Sequence, residues 1–125
     1  MNRNIRRLPD SELMVMQAIW DCPPPVSKAD IEEDIYKIHP MAETTLLTLL
    51  TRLTEKGYLS VEIHKRRKYF TPCITRQEYL ADQSKSFIDK LCGGSMTTFA
   101  TALCNSGLSK EELAELRDML ERGTL

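Results

Sequence analysis

Residues 44–72, TTLLTLLTRLTEKGYLSVEIHKRRKYFTP, carry two periodicities joined at one glycine. Leu46, Leu49, Leu50 and Leu53 recur at i, i+3, i+4 and i+7, the apolar stripe of a helix, while Thr44, Thr48, Thr51, Arg52 and Glu55 turn to the opposite side. Gly57 supplies the left-handed residue that stops such a helix. Beyond it Leu59, Val61 and Ile63 alternate with Ser60 and Glu62, the pattern of a half-buried strand. After the tip His64-Lys65-Arg66-Arg67-Lys68, the run Tyr69-Phe70-Thr71 returns as its partner. A threonine-faced helix followed by a basic-tipped hairpin predicts a winged helix-turn-helix. On that reading Thr44, Thr45, Thr48 and Arg52 read a DNA groove, and Lys65, Arg66, Arg67 and Lys68 meet the sugar-phosphate backbone or reach into a groove.

Taken singly, each piece has a plainer explanation. A leucine stripe is core packing in nearly every globular protein, and Lys and Arg at a turn are commonly just solvated. The threonines argue the other way. Thr44, Thr45, Thr48, Thr51 and Thr54 are poor helix-interior residues, so their density is costly unless the exposed face has another use.

Upstream segments have the number and length that this fold needs. Leu8-Pro9-Asp10 opens a helix with Asp10 as N-cap and Glu12 in its first turn, and Leu13, Met16, Ile19 and Trp20 form its inner side. Cys22-Pro23-Pro24-Pro25 must break it, because proline cannot donate the backbone bond. Ser27 with Asp30 three residues on is a short-armed capping box, after which Ile31, Ile35 and Ile38 mark the inner face of a second helix that Pro40 ends. Three helices and a hairpin present the third helix to the major groove.

Leu8 to Trp20 (LPDSELMVMQAIW) and Thr44 to Pro72, together with Leu108-Ser109-Lys110-Glu111-Glu112-Leu113-Ala114-Glu115-Leu116, resemble the penicillinase and methicillin-resistance repressors, the BlaI/MecI family. The signature is the combination of paired threonines, Leu49-Leu50, Arg52-Leu53, Lys56-Gly57 and Leu59. The resemblance implies a homodimeric bacterial repressor whose winged helices bind inverted repeats of the TACA/TGTA type in double-stranded operator DNA. It also implies release by proteolysis in the C-terminal region, after a membrane-bound sensor metalloprotease detects β-lactam. Two departures stand out. Glu43 precedes the paired threonines where family members often carry a basic residue, and the family's scissile bond aligns with Thr101-Ala102, where its typical Asn-Phe is absent.

The second half reads independently as an association module. Thr75-Arg76-Gln77-Glu78 is a capping box, and Tyr79, Leu80, Phe87, Ile88 and Leu91 give the helix after it an apolar side. Gly93-Gly94 ends it, and Met96, Phe99, Ala100 and Leu103 repeat the stripe on a short helix. Ser109 and Glu112 open the last helix, whose stripe is Leu113, Leu116, Met119 and Leu120. Three short helices seldom bury enough surface to be stable alone, so dimerisation through Phe87, Leu91, Met96, Phe99, Leu103, Leu113, Leu116 and Leu120 is expected. The alternative is that they fold back on the winged helix as one monomeric domain. The expected architecture is mainly α with a small β-hairpin: a winged-helix DNA-binding domain over 1–73 and a helical dimerisation domain over 74–125.

Composition agrees with this picture. The chain has 125 residues and a net charge of −1, but residues 1–72 carry 11 Lys and Arg against 10 Asp and Glu, whereas residues 73–125 carry 6 against 8. Its basic residues are thus local to the DNA-facing half, with Arg3, Arg6 and Arg7 as a second phosphate-contacting cluster or a disordered tail. No apolar run has membrane-spanning length and the polar, basic start is no secretory signal, which predicts a cytoplasmic protein. Cys22, Cys73, Cys92 and Cys104 are scattered without a CxxC pair, so no metal site or cofactor is expected and reduced thiols are. His39 and His64 are too isolated for a catalytic pair, and no phosphate loop or nucleophile elbow occurs, so an enzyme is not expected. The reading is a dimeric repressor of an inverted-repeat operator controlling β-lactam-resistance genes. A winged-helix protein-interaction module, or a redox- or metal-responsive regulator, is the alternative.

Overall fold

Helix α1 (Asp10–Trp20) takes Pro9 as its N-cap in the computed structural model, which describes residues 5–123. Asp10 is therefore its first helical residue and not its cap. The Pro9 carbonyl already accepts from Leu13 N at 2.9 Å, and a proline costs nothing where its N–H would be unsatisfied anyway. The buried side of α1 is also turned from the expected stripe: Glu12, Val15, Met16, Ala18 and Ile19 are buried, while Leu13 and Trp20 are half-buried.

Helix α2 (Lys28–Ile38) begins as read, with Ser27 Oγ accepting from Asp30 N at 3.1 Å. Ile31 and Ile35 are fully buried, but Ile38 is 75% exposed because the helix ends there and its last turn overhangs the core. Helix α3 (Glu43–Glu55) buries Leu46, Leu49, Leu50 and Leu53. Its end is a Schellman motif: Gly57 at φ +84° donates to the Thr54 carbonyl at 3.1 Å, and Tyr58 N reaches the Leu53 carbonyl at 2.9 Å.

Three strands follow from this stop and from the prolines before α2. They are β1 (Val26–Ser27), β2 (Leu59–His64) and β3 (Arg67–Pro72), an antiparallel sheet ordered β1-β3-β2. In register, Val61 faces Phe70 and Ile63 faces Lys68. Leu59 and Phe70 reach the core, but Val61 is 40% and Ile63 66% exposed, so the half-buried alternation expected of β2 fails past its first residue. Past Leu59 the hairpin runs beyond the buried core of its own unit, which leaves Val61 and Ile63 exposed.

The chain divides into two compact units, residues 1–83 and 84–125. The first continues past residue 73, since Ile74 and Tyr79 are buried in its core. Tyr79 lies on helix α4 (Arg76–Lys90), opened by the predicted capping box between Thr75 and Glu78. Its ring meets Trp20 and Tyr58 at 5.8 and 6.0 Å, and its hydroxyl accepts from Leu8 N. The second unit holds the end of α4, α5 (Met96–Cys104) and α6 (Lys110–Arg122), the last with its Ser109–Glu112 capping box formed in both directions. Cys92 is the one buried hydrophobic residue described in this unit. Among the described residues no helix is long and apolar enough to cross a membrane.

Candidate nucleic-acid interface

The leucine stripe of α3 faces the core, so sequence alone dictates what points away: Thr44, Thr45, Thr48, Thr51, Arg52 and Glu55 are all exposed. Thr44, Thr48, Thr51 and Glu55 form the outermost ridge, with Thr45 and Arg52 along one flank. The hydroxyls of Thr48, Thr51 and Thr54 donate to the carbonyls of Thr44, Leu47 and Leu50 at 2.8 to 2.9 Å. That is how an otherwise helix-averse residue is accommodated here: its one donor is satisfied inside the helix.

The wing is tighter than its sequence suggests. His64 pairs with Arg67 across the ladder, so the expected five-residue tip is a two-residue turn of Lys65 and Arg66. Both hold positive φ, 51° and 67°, as a type I′ turn demands. Arg67 and Lys68 belong to β3 and, being adjacent in a strand, project to opposite faces. Lys68 lines a groove with Leu47, Thr51 and Val61, between α3 and the hairpin. Arg67 shares a shallow cleft with Pro25, His64, Lys65 and Tyr69. His64 also contacts Glu62 at 3.1 Å and the Tyr69 ring at 5.9 Å. Arg66, Arg67 and Lys68 also line one hollow together with Ser27, Lys28 and Glu32 at the start of α2.

Sequence reading missed the polar ties that hold this surface. Lys28, first residue of α2, pairs with Glu32 at 3.2 Å and, more closely, with Glu43, first residue of α3. The Lys28 ammonium holds the Glu43 carboxyl below its usual range, and the acid in turn raises the lysine. The acid that departs from the family pattern is thus neutralised from a neighbouring helix. Glu12, only 3% exposed, meets Lys56 Nζ at 2.6 Å and ties α1 to the end of α3. A glutamate in a first turn reads as solvated and dipole-stabilising; its burial follows from α1's rotation, which periodicity alone does not fix. Arg76 caps the other end of α1, bonding Asp21 at 2.7 Å and the Gln17 carbonyl at 3.2 Å while lying 5.7 Å from the Trp20 ring centroid. Arg6 and Arg7 are exposed, and the Tyr58 hydroxyl donates to the Arg6 carbonyl. Arg3 lies outside the described residues.

The remaining sequence candidates lie in the second unit or are thiols. Phe87 packs edge-on to Phe99 at 6.1 Å, whereas Leu91, Met96 and Leu120 are exposed and Leu103, Leu113 and Leu116 half-exposed. Thr101 and Ala102 are exposed but helical, within α5. The Cys22 thiol donates to Asp34 at 3.1 Å, and burial with that carboxylate pushes it up to about 11. Among the described residues no three His, Cys, Asp or Glu side chains gather to hold a metal ion.

A three-helix core, a basic two-stranded wing and an appended helical unit define a winged-helix transcription regulator. Residues 8–122 match the family described as penicillinase repressor, and the chain belongs to that family. Among its relatives, the penicillinase repressor of Bacillus licheniformis is 30% identical over 120 residues, covering 95% of this chain and 93% of that protein. The penicillinase repressor of Staphylococcus aureus is 33% identical over 116 residues (88% and 87%). The methicillin resistance regulatory protein MecI of Mammaliicoccus sciuri is 25% identical over 123 (98% and 99%). A solved structure, the monomeric form of Bacillus licheniformis BlaI in complex with the blaP half-operator, superposes with a TM-score of 0.52 at 29% identity, covering 61% of this chain and 92% of that one. The family is one of repressors, not of enzymes.

Proposed function

We propose that this chain is a dimeric transcriptional repressor that binds an inverted-repeat operator, α3 lying in the major groove and the wing against the backbone. The observation that carries it is the exposure, on one helix ridge and one hairpin tip, of Thr44, Thr45, Thr48, Arg52, Lys65, Arg66, Arg67 and Lys68, in a chain whose relative was solved on operator DNA. Thr45 and Arg52, on the helix flank, select sequence; the wing cations supply charge. Residues 1–83 would hold the DNA. The exposed apolar residues Phe87, Leu91, Met96 and Leu120 support self-association of the second unit, which buries too little to stand alone. The relatives' names favour β-lactam-resistance genes as targets, and a repressor acting on operator DNA would work in the cytoplasm. Release by cleavage at Thr101–Ala102, on the resemblance, requires α5 to unwind, because that peptide is helical.

Affinity measured across a salt series tests the division of labour. Arg67→Ala should weaken all duplexes alike and flatten the salt slope by about 0.9. Thr45→Ala should cost roughly 1 to 3 kcal/mol on the selected operator and much less on random DNA. Equal losses for both variants on both DNAs would refute the assignment.

A further inference from the structure

On the ridge of α3 that stands farthest from the core, Thr48 and Thr51 have hydrogen-bond donors that are already spent. Thr48 Oγ1 donates to the Thr44 carbonyl and Thr51 Oγ1 to the Leu47 carbonyl, each at 2.9 Å. A hydroxyl has one proton, so neither side chain can donate to guanine O6 or N7, or to thymine O4, without breaking a bond inside its own helix. Oγ1 keeps lone pairs that can only accept, and the major-groove edge of thymine offers an acceptor and a methyl but no donor, so the γ-methyl is the group on each side chain that can meet a thymine. Thr48 and Thr51 are three apart, so the two methyls lie on one face. Leu47 and Val61 extend this apolar character along the groove toward the wing.

Resting on the DNA-binding reading above, we infer that Thr48 and Thr51 are specificity-determining residues that read thymine through their methyl groups, not through hydrogen bonds. The C5-methyl of thymine is the one apolar mark in the major groove, and a threonine methyl is a fitting partner for it. The hydroxyls, on this account, serve the helix.

Replacing thymine by deoxyuridine in the operator removes that methyl and nothing else. The full-length protein is first used to select its operator from a random duplex library, and each thymine is then replaced in turn. At one or more thymines per half-site the wild type should lose about fourfold in affinity, the worth of one buried methyl. Thr48→Val and Thr51→Val, which keep the methyl and discard the hydroxyl, should bind the thymine operator within about twofold of wild type. Thr48→Ser or Thr51→Ser should lose about fourfold and become indifferent to deoxyuridine at the matching position. The inference falls if no deoxyuridine matters, or if the valine variants lose about tenfold or more while keeping wild-type melting and random-DNA affinity. If the wild type selects no sequence at all, the DNA-binding reading itself fails; a selected operator blind to deoxyuridine removes this inference alone.

Discussion

Lys65 and Arg66 occupy φ values of 51° and 67°, where a β-carbon crowds the backbone and glycine or asparagine is the relaxed choice. Placing two long cations there costs stability and sets both charges at the outermost point of the wing. Such strain at a tip is expected where charge is needed for binding. The double variant Lys65→Asn, Arg66→Gly should therefore raise stability by about 1 to 2 kcal/mol in denaturant melts while weakening DNA binding without regard to sequence. A variant that melts lower than wild type would show that the turn is held by contacts other than its own backbone. Tyr58 makes a second residue-level case. Burial, with Tyr79, Asp82 and Glu12 nearby, pushes its hydroxyl up to about 12, above the 10 of a free tyrosine. The folded state then binds the proton more tightly than the unfolded chain, so this contribution is intact below pH 10 and is lost as pH rises toward 12. Alkaline melts should lose on the order of 1 to 2 kcal/mol over that window, and Tyr58→Phe should flatten the slope. An unchanged slope in the phenylalanine variant assigns the loss elsewhere.

Between elements, the buried ion pair of Glu12 and Lys56 holds the start of α1 to the end of α3, beside the Schellman turn that aims the chain into the wing. Removing one partner leaves a buried charge without compensation. Lys56→Met alone should cost about 3 kcal/mol by chemical denaturation, whereas Glu12→Leu with Lys56→Met should recover most of it. A double variant no better than the single one would mean that the pair is not coupled. This level also divides what was legible beforehand from what was not. The stripe of α3, the stop at Gly57 and the caps at Ser27, Thr75 and Ser109 were readable because each depends on residues within one or two turns. Strand β1 was not, because two residues after a proline run carry no period. The exposure of Val61 and Ile63 was not, because alternation says which side a residue takes but not how far the core extends beneath it. The threonine ridge was legible as a face, yet the fate of its hydroxyls needed the rotamers. Lys28 could be paired with Glu32 from spacing alone, but only the fold brings Glu43 to it.

For the molecule as a whole, the two units have unequal means of stability. The first encloses a continuous core from Leu8 to Tyr79, whereas the second shows one buried hydrophobic residue and several exposed large ones among those described. A chain ending at residue 83 should fold and sediment as a monomer at micromolar concentration, while the intact chain should sediment as a dimer. A chain ending at residue 72 loses Ile74 and the ring of Tyr79 and should be less stable than the longer fragment by about 3 kcal/mol or more. If the intact chain also runs as a monomer, the association role of the second unit is wrong; if both fragments melt alike, Tyr79 is not part of the core.

Trp20, the sole tryptophan in the sequence, donates its indole N–H to the Ile74 carbonyl at 2.9 Å, with the Arg76 guanidinium near its face and Tyr79 beside it. Every one of those neighbours belongs to the segment that opens α4, and none to α3 or the wing. The chain thus carries a built-in optical reporter on one joint. Its indole emission should stay constant when operator binding is confined to the helix ridge and the hairpin, and should shift to the red when the first turn of α4 loosens from α1. Titrating DNA while watching that emission would separate a repressor that docks rigidly from one whose grip is felt where α4 begins.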